Sequence, residues 1–69
     1  MTQKELLYFE DAIGHEANII SICEDTVSKI ENEELVSFMQ NEIDIHKSMK
    51  EKLISLLEEK AHEWSIVNG

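Results

Sequence analysis

Apolar side chains recur along both halves of the chain at alternating steps of three and four residues, which is the spacing of one face of an α-helix. We call each such line of residues a seam. The first seam comprises Leu6, Phe9, Ile13, Glu16, Ile20, Cys23, Val27 and Ile30. The second predicted seam comprises Leu35, Met39, Glu42, His46, Met49, Leu53 and Leu56. The pattern predicts two amphipathic helices, each with ionisable groups near the middle of its apolar face.

Capping residues mark where these helices begin. Thr2 and Glu5 have the spacing of a capping box and stand directly before the first apolar pair. Asn32 is a favourable N-cap, and the two glutamates that follow it suit the positive end of a helix macrodipole. The expected ranges within a single domain, 1–69, are a first helix over about 3–30, a turn over about 31–33, a second helix over about 33–63 and a frayed tail over 65–69.

A connection of two or three residues makes the two helices antiparallel, so the predicted fold is an all-α helical hairpin. Further apolar residues flank the two seams, and a hairpin cannot cover all of them by itself. They are Leu7, Tyr8, Ala12, Ile19 and Ile22 in the first helix and Phe38, Ile43, Ile45, Ile54, Leu57 and Ala61 in the second. We therefore expect a homodimer that forms a four-helix bundle, or a higher homo-oligomer. A long coiled coil is the alternative, which the turn and the wide apolar faces disfavour.

Composition narrows the partners and the compartment. Fifteen acidic residues against six lysines give a formal net charge of −9, which repels nucleic acid and anionic membrane surfaces. A single cysteine, Cys23, excludes an internal disulfide, and its place in the seam predicts a buried thiol in a reducing compartment. The chain start lacks the pattern of a signal peptide, and no apolar stretch reaches the roughly 18 residues of a membrane span. The expected location is the cytoplasm.

Glu16, Glu42 and His46 are the candidate site residues. If the chain folds back near Asn32, Glu16 faces the stretch that begins at His46, and Glu42 lies about one turn away. A carboxylate and an imidazole on facing helices can bind iron or zinc, especially when two-fold symmetry adds a second set. The same side chains can instead form a hydrogen-bonded pair that offsets the desolvation of the carboxylate, with no cofactor. Both interpretations stay open at this point.

Three short segments resemble those of a known family. They are Ile13-Gly14-His15-Glu16-Ala17, Asn32-Glu33-Glu34-Leu35 and Asn41-Glu42-Ile43-Asp44-Ile45-His46. A glutamate in the middle of the first helix, a short restart and an acid-and-histidine segment resemble the ferritin-like superfamily. The resemblance is to its single-hairpin members of the encapsulated-ferritin type and the spore coat F-like type, and it covers about residues 6–64. It implies a hairpin that completes a four-helix bundle by dimerising.

The di-iron motif that this resemblance implies is incomplete. Iron-oxidising members carry Glu-x-x-His on the second helix, because residues three apart direct both side chains at the same irons. Glu42 is followed at that spacing by Ile45, and His46 comes one position later. If the first-helix glutamate is matched to Glu16, the motif falls on His46 and Met49, and a thioether is a poor ligand for oxidised iron. The incomplete motif argues against ferroxidase activity.

Three classes of function fit these features. The preferred one is a non-catalytic structural or interaction module built as a homodimeric ferritin-like bundle. The alternative is a metal-binding, iron-handling protein that uses Glu16, Glu42 and His46. A phosphorelay bundle with His46 or His15 as acceptor is disfavoured, because His46 lies in a seam and basic residues that would stabilise a phosphoryl group are scarce.

Overall fold

The computed structural model describes the backbone of residues 1–68 and the side chains of residues 1–63. Helix α1 spans Gln3–Lys29 and helix α2 spans Glu33–Asn68. The two helices pack against each other as an antiparallel hairpin about 53 Å long, and no strand occurs in the described backbone. The predicted all-α hairpin is confirmed. Neither helix has an apolar stretch long enough to cross a bilayer within the described residues.

The predicted capping box begins α1. The backbone N–H of Glu5 donates to Thr2 Oγ1 at 3.0 Å, and the backbone N–H of Thr2 donates to Glu5 Oε1 at 2.8 Å. These reciprocal bonds satisfy two donors that the first turn of a helix would otherwise leave free. The Glu5 carboxylate accepts hydrogen bonds from the Thr2 backbone N–H and, with a smaller effect, from the Thr2 side chain, and both lower the pKa of the Glu5 carboxyl below its ordinary value.

Two residues, Ile30 and Asn32, determine where α1 ends and where α2 begins. Ile30 is extended, with φ −103° and ψ 146°, and it ends α1 directly after Lys29. Asn32 then caps α2, because its Oδ1 accepts from the backbone N–H of Leu35 at 3.0 Å and its carbonyl accepts from Val36 at 2.9 Å. The predicted N-cap at Asn32 is confirmed. This short turn fixes which levels of the two helices face each other.

The end of α2 differs from the prediction. The helix continues to Asn68, beyond the end expected at about residue 63, and Gly69 lies outside the described residues. The sequence of this segment explains why the helix continues. Residues 64–68 contain neither proline nor glycine, the two residue types that most strongly interrupt a helix, so nothing in this segment ends it earlier.

The seam predicted for α1 is confirmed. All eight of its residues are buried or partly buried, and Glu16, Ile20 and Cys23 are the most enclosed. Ile20 and Cys23 form the centre of the core together with Ile43 from α2. Ile19, Val27 and Met39 pack against this centre. The core is therefore small and lies between the level of Glu16 and the turn.

The seam predicted for α2 is partly wrong. Leu35 and Met49, which the prediction placed in it, are 54% and 46% exposed. The most buried residue of α2 is instead Ile43, which is 4% exposed and which the sequence pattern places beside the seam. Residues at the same spacing from Ile43 are also partly buried, and they include Val36 and Lys50. The stem of a lysine can cover apolar surface while its ammonium group stays in water.

The physical reason is the width of the apolar arc on α2. Two neighbouring lines of residues both satisfy the three-and-four spacing, so the spacing alone does not show which line faces α1. The hairpin turns the side of this arc that contains Ile43 toward α1 and leaves the other side outside.

Candidate functional site

The structure brings Glu16 and His46 together across the interface between the helices. His46 Nδ1 lies 2.5 Å from Glu16 Oε2, and the two residues come from the middle of α1 and from the first half of α2. The contact follows from the turn, because folding at Asn32 places these two levels side by side. The predicted pairing is confirmed, while a role as metal ligands stays a prediction.

Burial explains why this pair forms. The Glu16 side chain is 11% exposed and that of His46 is 21% exposed. A carboxylate removed from water to this extent needs a hydrogen-bond donor, and His46 is that donor. Among the described side chains, no buried nitrogen or oxygen lacks a hydrogen-bond partner. The pair therefore offsets the cost of placing an acid in an apolar seam.

The contact also determines the tautomer of the imidazole. An ionised carboxylate only accepts hydrogen bonds, so Nδ1 carries the hydrogen that points to Glu16. The other ring nitrogen, Nε2, lies 3.8 Å from Glu42 Oε2, and the Glu42 side chain is 34% exposed. This distance is too long for a hydrogen bond. In the neutral ring Nε2 presents a lone pair, so a proton or a cation on this side would make the approach to Glu42 favourable.

This geometry changes the role expected for Glu16. Histidines that bind metals commonly donate their second ring N–H to a carboxylate, which orients the ring. In that arrangement Glu42 and His46 Nε2 would face the metal, and Glu16 would orient His46. The described part of the chain contains no group of three or more His, Cys, Asp or Glu side chains placed to hold a metal. A single hairpin thus offers two ligands here.

Two other candidates from the sequence are not part of this cluster. Cys23 is a free thiol buried in the core, as expected. His15 is exposed on α1. His46 is held by Glu16 through Nδ1 and is mostly buried, which does not suit a phosphoacceptor.

Exposed apolar residues form a second feature, and sequence reasoning found it only in part. Eight large hydrophobic residues are exposed among the described side chains, and six of them lie on one side of the hairpin. We call this side the open face, and it consists of Tyr8, Ile22, Leu35, Phe38, Ile45 and Met49. Their exposed fractions range from 45% to 60%.

Helix geometry shows that these six residues share a side. Residues advance by about 100° around a helix, so Tyr8 and Ile22 lie on one flank of the buried side of α1. Leu35, Phe38, Ile45 and Met49 lie on one flank of the buried side of α2. Because the helices run antiparallel, these two flanks point to the same side of the hairpin. The opposite side carries the exposed residues Glu10, Ser21, Glu24, Ser28, Ser37, Asp44 and Glu51.

The sequence contained the signal for this asymmetry. Of the eleven apolar residues predicted to flank the seams, five large ones are exposed, namely Leu7, Tyr8, Ile22, Phe38 and Ile45. Ala12, Ile19, Ile54 and Leu57 are partly buried and Ile43 is buried, so the hairpin covers part of this set itself. Plotting each helix around its axis from the middle of its buried side separates Leu7, which lies on the back of α1, from the other exposed residues. Such a plot can be made only when the buried side of α2 is known, and the three-and-four spacing alone does not show which side that is.

Comparisons with protein-family models, with curated proteins and with solved structures find no match to this chain. The resemblance to the ferritin-like superfamily stays a prediction that the two-helix fold neither supports nor opposes.

Proposed function

We propose that this protein is a non-catalytic structural or interaction module that self-associates through its open face into a homodimeric four-helix bundle. The observation that carries the proposal is the concentration of six large exposed hydrophobic residues on one side of the hairpin. Exposed apolar patches of this kind mark interaction sites. Polar residues on the opposite side suit contact with water.

A second copy of the chain is the partner that best fits the open face. The hairpin measures 53 by 16 Å along its two larger axes, so this side offers on the order of 800 Å², the area that one partner contributes to a standard interface. Two open faces are alike, and each presents the same six hydrophobic residues, so they can meet across a two-fold axis. The hairpin alone buries only Ile20, Cys23 and Ile43 as core hydrophobic residues among those described. Small domains of this kind commonly gain stability by oligomerisation.

The four-helix arrangement would follow the ferritin-like layout that the sequence resembles. Two hairpins that join by their open faces form four antiparallel helices around a shared apolar interior. The Glu16–His46 pair would then lie beside this interior in each subunit, where it serves the fold of each hairpin.

Solution mass tests the proposal. At micromolar concentration we expect light scattering after size exclusion to give twice the chain mass of 8.0 kDa. Phe38→Glu, which places a charge on the open face, should give the mass of a single chain. Leu7→Glu is the matched control, because Leu7 is 55% exposed but lies on the back of α1. A single-chain mass for the unmodified protein, or an equal loss of mass in both variants, would contradict self-association through this face.

Metal binding is the second candidate function, and the approach of His46 Nε2 to Glu42 favours it. A two-fold dimer holds two such pairs, which together supply four nitrogen and oxygen ligands of the kind that zinc and iron accept. Glu16 would orient each imidazole. Calorimetric titration with zinc should then show saturable binding that Glu42→Gln abolishes. If the protein binds no zinc at micromolar concentration, or if Glu42→Gln binds it equally well, the two pairs form no metal site.

A further inference from the structure

Glu42 occupies an unusual position on α2. Leu35, Phe38, Glu42, Ile45 and Met49 follow one another at steps of three, four, three and four residues, so they form one stripe along the helix. The four apolar residues of this stripe belong to the open face, and Glu42 is the acid in their middle. A second copy that covers the stripe must also cover Glu42.

Glu42 receives little help from its own chain. Its Oε2 lies 3.8 Å from His46 Nε2, which is too long for a hydrogen bond, and His46 is already held by Glu16 through Nδ1. In the single hairpin the Glu42 side chain is 34% exposed, so water can satisfy the carboxylate. When a partner removes this water, the carboxylate needs a new donor, or it is left buried and unpaired at a considerable cost.

Apolar contacts alone would not select one alignment of the two copies. A repeat of three and four residues brings similar side chains back after seven positions, so two stripes can pair in several registers of comparable energy. A single polar residue within such a stripe removes this degeneracy, because most registers would bury it without a partner. A buried polar residue fixes the register of coiled coils in the same way, at a cost in stability.

We propose that Glu42 determines the register in which two copies of this chain associate. Only an alignment that gives the Glu42 carboxylate a hydrogen-bond donor or keeps it in contact with water is stable. His46, held in place by Glu16, borders Glu42 on the core side and limits where its carboxylate can move. Glu42 is thus a specificity-determining residue of the interface, and this inference rests on the proposed self-association.

Glu42→Leu tests the inference, since it makes the stripe continuously apolar. We expect the dissociation constant of the dimer to fall about tenfold, because the desolvation of a carboxylate is removed. We also expect the single register to be lost, so that backbone amide NMR spectra show several signals for residues of the open face. Glu42→Gln, which keeps a polar group, should retain one set of signals. Ile45→Leu is the control within the same stripe and should also retain one set.

The outcomes separate the inference from the function on which it rests. A single-chain mass for the unmodified protein overturns both. A dimeric unmodified protein whose Glu42→Leu variant keeps one set of signals overturns the role of Glu42 in register alone. A dimeric Glu42→Leu variant that associates no more tightly than the unmodified protein overturns the cost assigned to the carboxylate. Circular dichroism of each variant confirms that the hairpin is folded when these masses and spectra are compared.

Discussion

Ile43→Ala is expected to lower the free energy of unfolding by about 2–5 kcal/mol. Ile43 is 4% exposed and contributes α2's part of a core whose other buried hydrophobic residues are Ile20 and Cys23. Because this core is small, few neighbouring side chains can move to fill the cavity that the truncation leaves. For a domain of this size the loss corresponds to a fall in melting temperature of at least about 10 °C. Thermal and urea unfolding at one fixed protein concentration measure it.

Leu7→Ala is the control for this prediction, because it removes a similar volume from an exposed position on the back of α1. We expect its effect to stay within about 0.5 kcal/mol. Equal losses for Ile43→Ala and Leu7→Ala would contradict the position of the core. Ile45→Ala adds a useful comparison, since its effect should depend on protein concentration if the open face is an interface.

Local signals in the sequence were sufficient to predict the helix starts and the turn. Thr2 and Asn32 each act on backbone groups within four residues, so their roles depend on little beyond the neighbouring sequence. The Glu16–His46 contact could be predicted for a related reason. Once the turn is placed at Asn32, the constant rise of the helices determines which levels meet.

The rotation of α2 about its axis could not be predicted from the same signals. Leu35 and Val36 both begin lines of apolar or long side chains, and the spacing is satisfied by either line. The choice depends on packing between the helices, where Ile43 fits against Ile20 and Cys23. Because α2 is rotated in this way, Glu42 lies at the border between the core and the open face instead of inside the seam. The proposals for metal binding and for register both depend on that border position.

The Glu16–His46 pair should show strong coupling in a double-mutant cycle. His46→Leu leaves a carboxylate in the seam without its donor, and we expect it to lower the free energy of unfolding by about 3 kcal/mol. Glu16→Leu leaves an imidazole that can stay neutral, so its cost should be smaller, about 1–2 kcal/mol. The double variant replaces the pair by two apolar side chains and should regain most of the lost stability. Urea unfolding of the four proteins in the presence of a chelator measures the cycle.

The order of these effects distinguishes the two interpretations of the site. If the pair serves only the fold, the chelator does not change the unfolding of the unmodified protein, and the double variant is close to it in stability. If a bound metal holds Glu42 and His46, the chelator itself lowers the stability, since a ligand that binds only the folded state stabilises it. Additive losses in the double variant would show that Glu16 and His46 contribute independently, contrary to the contact between Oε2 and Nδ1. The cycle therefore tests whether Glu16 only pairs with His46 to stabilise the fold or also orients His46 toward a metal.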